Sequence, residues 1–312
     1  MPVQNPEEPS TSQETHRPER PARLTPRGHT LTPAMWSNIP SGAVATLSII
    51  DTTLHLGNVG TRDLMAPAMS GFDILPAFPT WSFLLESSTG KKAVFDLGVA
   101  HNLDSYSPRL SNDLKYTGWT VETAHDVADI LKNNGVDPSD INDVIWSHEH
   151  FDHIGDISRF PNTTNLIVGP GFKETNLPAW PTNPYSQLRD DYFEGRNVIQ
   201  MDFEKQSPEL QIGPFNAFDL WGDGAVYLLS TPGHTQSHLG ALVRTTNQPE
   251  RAVHWCAISI AFCFESGEKA LPTRDAVQTS QAFPIPPACG LDISEYLDIV
   301  GYPRTECLMP PL

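Results

Sequence analysis

The chain has 312 residues, 39% of them apolar and 18% charged, with 20 basic against 37 acidic side chains and a net charge of −17. That length buries a large core, and the acidic balance argues against nucleic acid or an anionic membrane surface as a partner. No apolar run is long enough to span a bilayer, so no membrane partner is expected.

Residues 1–43 are rich in Pro, Ser, Thr, Glu and Arg, with Arg17, Arg20, Arg23 and Arg27 setting a local basic bias. This composition cannot bury enough apolar surface and reads as a disordered tail. It has no apolar h-region, so it is not read as a secretory signal. Residues 44–312 are read as one domain whose last ~50 residues are atypical. Cys256, Cys263, Cys289 and Cys307 form no CxxC pair, which points to reduced thiols and a cytoplasmic location.

Within the domain, Ala45–Asp51, Trp81–Glu86 and Ala93–Gly98 read as strands, the last two joined by the turn 88–92 into a hairpin. Residues 99–118 read as a long loop. Thr120–Asn134 reads as a helix with a Val121, Val127, Ile130, Leu131 stripe and a stop at Gly135. His125 and Asp126 are placed in solvent at its start. A buried strand at 144–146 then delivers a polar cluster to a sheet edge. Asn165–Gly169 is a further strand. Residues 172–200 read as a covering loop containing Trp180, Tyr185 and Tyr192, and Val198–Phe203 as a strand. Gly222-Asp223-Gly224 joins two strands as a hairpin, and His238–Arg244 is another strand.

The cluster is Ser147-His148-Glu149-His150-Phe151-Asp152-His153. Imidazole and carboxylate side chains at i, i+2, i+4 and i+5 on one bent loop can converge on zinc or a related borderline cation. A single histidine is more often a surface or hydrogen-bonded residue, but four such ligands in this order are not explained by packing. Some eighty residues on, Thr231-Pro232-Gly233-His234 breaks a strand and places His234 on a turn, where it can serve as a third ligand beside His148 and His150.

These two elements resemble the metallo-β-lactamase superfamily, in particular its lactone- and lactam-hydrolysing branch (N-acyl homoserine lactonase-like). The family's histidine-x-histidine-x-aspartate-histidine motif matches His148, His150, Asp152 and His153. Its threonine-proline-glycine-histidine element matches Thr231 to His234. The resemblance covers roughly residues 45–270. It implies an α/β (α+β) fold, an αββα sandwich of two mixed sheets flanked by helices, incomplete at the C-terminus in this chain. It implies one or two Zn²⁺, the first held by His148, His150 and His234 and the second by Asp152 and His153. Asp96 corresponds to a carboxylate that supports the histidine loop, with a plain turn role as the alternative. The implied activity is opening of a small-molecule cyclic ester or amide by metal-bound hydroxide, with Asp152 as the catalytic group that orients the water and handles its proton.

Two ligands of the family pattern have no match. A bridging aspartate is expected near 255–262, but no aspartate lies between Asp223 and Asp275, and no histidine follows His254. His254, Cys256, Cys263, Glu265 and Glu268 are the available substitutes. A truncated or altered reading of the last third would account for both losses. The alternatives are therefore a degenerate member that keeps one metal, and a thioester or glyoxalase-type hydrolase that shares the first site.

Overall fold

The computed structural model describes residues 39–64 and 73–247 in full, and residues 250–256 and 307–308 by their backbone pairing. All of these belong to one compact unit, Leu31–Leu312. Strands β1 (Ala45–Asp51), β3 (Trp81–Ser87) and β4 (Lys92–Phe95) form an antiparallel meander. Parallel strands β6 (Asp143–Ile145), β7 (Asn165–Val168) and β8 (Val198–Gln200) extend it, and β14 (Cys307–Leu308) pairs with the other side of β1. The second sheet is wholly antiparallel: β9 (Gln211–Ile212), β10 (Phe215–Asp219), β11 (Val226–Ser230), β12 (Leu239–Asn247) and β13 (Glu250–Cys256). A small ribbon of β2 (His55–Gly57) and β5 (Thr120–Glu122) stands apart.

Alternation along the strands makes the layers. On the seven-stranded sheet, Val94, Val144, Leu166 and Val168 face one way, towards Leu110, Leu114, Ile130 and Leu131 of helices α2 (Pro108–Tyr116) and α3 (Val127–Asn133). Ala93, Phe95, Ile145 and Ile167 face the other way and meet Val226, Leu228, Ala241 and Val243 of the five-stranded sheet. The outer face of that second sheet carries Tyr227, Leu229 and Leu242. The molecule is thus a mixed α/β sandwich of the expected kind, and the described residues supply its helix, sheet and sheet layers. Short central strands buried on both faces read as continuous apolar runs, as Ala93-Val94-Phe95 does.

Several local expectations change. Helix α2 lies in the stretch read as loop. Ser107 accepts from the Leu110 amide and Pro108 starts the helix, a strong start signal hidden in a polar segment. The helix read from Thr120 begins only at Val127, because Thr120–Glu122 pairs with β2 as a strand. Asp126 is buried, not solvated, and accepts from the His101 amide at 2.9 Å. Burial also raises its carboxyl above the usual range. The strand from Val198 ends at Gln200, and Phe203–Gln206 is a short helix, α6. β6 is an interior strand, so the histidine cluster sits at a strand's C-terminal end and not on a lateral edge. Residues 40–43, assigned to the tail, are held by the domain: Ala43 donates to Asp223 O at 2.7 Å, and Arg244 donates to Pro40 O.

Candidate metal centre

After β6 the chain bends through Ser147–His150 and then enters the single-turn helix α4 (Phe151–Ile154). Trp146 anchors this loop from below, fully buried among Phe172, Tyr192 and Phe193 with ring centroids 6.1 Å away. Tyr192 of the covering loop therefore packs in the core, Trp180 stacks under the Arg189 guanidinium, and Tyr185 is exposed. Tyr106 ties the loop from the side, accepting from Ala100 N and donating to Phe151 O, both at 2.8 Å.

The other half of the site comes from the second sheet. Strand β11 ends at Ser230, Thr231–His238 forms a turn, and β12 returns at Leu239. Thr231 N donates to His238 O at 3.1 Å, and Thr231 Oγ1 lies 2.8 Å from His238 Nδ1, which closes the turn at its base. Leu239 N donates to Ser147 O at 2.8 Å, stitching the two sheets together at this end. Gly169, at the end of β7, lies so close that a Cβ there would stand 1.8 Å from Ser237 O.

This stitching brings His148, His150 and His234 together, with one nitrogen of each within 4.8 Å of the others. His148 is buried, His150 half-buried and His234 exposed, so the group runs from the interior to the surface. Proton bookkeeping fixes the state of His148. Asp96 accepts from Ser147 N at 2.7 Å and from Ser147 Oγ at 2.8 Å. The single hydroxyl proton of Ser147 is thereby committed, so its oxygen accepts from His148 Nδ1 at 3.0 Å. The proton of His148 sits on Nδ1, and Nε2 keeps a bare lone pair, buried and without any partner. A buried unpaired nitrogen is disfavoured unless something electropositive meets it. His150 Nδ1 and His234 Nε2 stand 2.8 Å apart, closer than two lone pairs tolerate without a proton or cation between them. Burial, with crowding by neighbouring imidazoles, depresses the whole group: His148 and His150 fall below the usual imidazole range, His234 to about 4 and His238 to about 3. Neutral imidazole is the form that binds a metal, so these three donors fit a zinc-type cation.

Asp152 and His153 are placed beside this group but engage each other. His153 Nδ1 donates to Asp96 Oδ2 at 2.8 Å, and its Nε2 stands 3.3 Å from Asp152 Oδ2. Burial alone would depress His153, but the two carboxylates outweigh it and hold it near 10. Burial likewise opposes the charge on Asp152, and His153 overcomes it, bringing the carboxyl to about 2. Asp96 serves both readings given to it: it sits at a turn with φ 59°, and it braces Ser147 and His153. Sequence reasoning passed over Ser147, which sets the His148 tautomer, and Glu149, which accepts from Ser237 Oγ at 2.8 Å. Only the burial of Ser147 between a strand and a ligand hinted at its part. Of the substitute ligands, His254 and Cys256 stand opposite Leu242 and Gly240 in the β12–β13 register. Cys263, Glu265 and Glu268 lie outside the described residues.

The model of the metallo-beta-lactamase superfamily matches residues 75–240, just over half of the chain. The gamma-lactamase FDB1 of Fusarium pseudograminearum is 42% identical over 206 residues, 64% of this chain and 49% of that protein. The gamma-lactamase MBL2 of Gibberella moniliformis is 47% identical over 156 residues, 50% of this chain and 65% of that protein. The N-acyl homoserine lactonase AttM of Agrobacterium fabrum is 32% identical over 162 residues, 49% of this chain and 56% of that protein. The chain thus spans about half to two thirds of the length of these relatives. Motif, sandwich and family match agree: the chain belongs to the metallo-β-lactamase superfamily.

Proposed function

We propose that the protein is a metal-dependent hydrolase that opens a small cyclic amide or ester, with His148, His150 and His234 holding zinc. The observation that carries this reading is the buried, partnerless Nε2 of His148, on an imidazole that shares with His150 and His234 a group of ring nitrogens within 4.8 Å of one another. The similarity to two gamma-lactamases and a lactonase supports a cyclic amide or ester as the substrate class. Zinc bound there would supply Lewis acidity and an activated water nucleophile.

The chain's own residues supply the rest. Ser147 and Asp96 hold the His148 ring in its ligating tautomer. Asp152, kept anionic by His153, is the group to orient a water and receive its proton. The same Asp152 and His153 are the donors available to a second metal, in which case His153 would give up its present proton.

A second reading, a member that retains one metal and little turnover, is favoured by one feature: both nitrogens of His153 already face carboxylates. The discriminating experiment is metal analysis of the purified chain together with a panel of γ-lactams, lactones and thioesters. About two zinc per chain with ring opening supports the first reading. About one zinc and no turnover supports the second, and turnover confined to thioesters would replace both. His234→Ala should weaken zinc binding by more than the roughly 10–100-fold that outer partners cost. Since His234 is exposed, the melting temperature of the metal-free protein should barely move.

A further inference from the structure

His234 is the exposed ligand, carried on the Thr231–His238 turn, yet it must meet two ligands from another sheet. Ser237, three residues on, is fully buried and held from two sides. Its carbonyl abuts Gly169 at the end of β7. Its hydroxyl donates to Glu149 Oε2 at 2.8 Å, and Glu149 sits between the ligands His148 and His150. The Thr235 hydroxyl approaches the same Ser237 oxygen at 3.4 Å. The hydrogen bond therefore joins the two histidine-bearing loops, at the residue between His148 and His150 on one side and three residues past His234 on the other.

We propose that Glu149 and Ser237 form a clasp that positions His234 against His148 and His150, so that the pair sets how tightly the site holds its metal. Both are positioning residues: neither offers a nitrogen to the three-histidine group, and each acts through a neighbour.

The inference rests on the reading of the three histidines as a metal site, and zinc affinity measured by competition with a chromophoric chelator separates the two. Should the unmodified protein bind no zinc, that reading fails. The clasp alone fails if the protein binds zinc but Glu149→Ala and Ser237→Ala each bind it within about twofold as tightly. The expected result is a loss of about tenfold for each, the lower end of what outer partners contribute. The double variant should lose the same tenfold and not a hundredfold, because both substitutions break one bond. Glu149→Gln, which keeps an acceptor, should stay within about threefold of the unmodified protein. A purely structural contribution would instead lower the melting temperature of both alanine variants and of the double variant while leaving chelator competition unchanged, and that outcome overturns the proposal. Losses that multiply in the double variant overturn it as well.

Discussion

Ser147 has one hydroxyl proton, and its destination decides the ring beside it. Because Asp96 takes that proton, His148 must donate through Nδ1, and its other nitrogen is left bare in the interior. The neighbouring titrations follow from the same crowding and give a pH prediction for the metal-free protein. His234 and His238 have folded values near 4 and 3, against an unfolded value of about 6.5. Between those limits the unfolded chain binds more protons, so stability falls as pH drops from about 6.5 towards 3. His153 has the opposite sign. Its value is raised to about 10, so its contribution is complete below about 6.5 and disappears as pH rises through 10. Denaturant midpoints measured with chelator present should therefore peak near the ordinary imidazole value. His153→Gln should abolish the alkaline decline and leave the acid one; an unchanged alkaline arm would contradict the assignment. His148, His150 and His234 were legible from spacing alone, since i, i+2 and a later turn histidine suffice to name them. The tautomer was not, because it depends on Asp96, which lies 51 residues from Ser147.

At the scale of elements, the ends of β7, β6 and the β11–β12 turn act as one unit. Gly169 is the point of closest approach, and the obstacle to any larger residue there is the Ser237 backbone, which cannot swing away as a flexible side chain would. Gly169→Ala should cost roughly 1–3 kcal/mol by overpacking. It should also weaken zinc binding, because the displaced segment carries His234. Urea titration and chelator competition would check both, and an unperturbed variant would show that the turn can move freely. Elements with a single strong period, such as β1 and β3, were readable from sequence. Two of the misread stretches, 99–118 and 120–126, lack one. Helix α2 announces itself only through Ser107-Pro108, and Thr120–Glu122 becomes a strand because β2 offers it a partner. Propensity is a weak prior where tertiary pairing is available.

At the scale of the whole molecule, the charge excess and the sandwich make separate statements. A net charge of −17 places self-repulsion on the folded state. Raising NaCl from about 20 to about 300 mM shortens the screening length severalfold. It should raise the melting temperature of the metal-free protein by a few degrees, and a flat or falling response in calorimetry would show that the acidic side chains are already far enough apart. Among the described residues no helix is long and apolar enough to cross a membrane.

What the sequence determined by itself was the family and the three histidines that the fold brings together. Both are written in short local motifs at the ends of strands, where the polar residues cannot be explained by packing. The tertiary structure alone decided which nitrogen of His148 faces the site, that His153 sits between Asp96 and Asp152, and that Glu149 reaches Ser237. Each of these couples positions 51 to 88 residues apart or contests one proton among several acceptors. Such outcomes depend on distances and on who donates to whom, and a linear pattern contains neither.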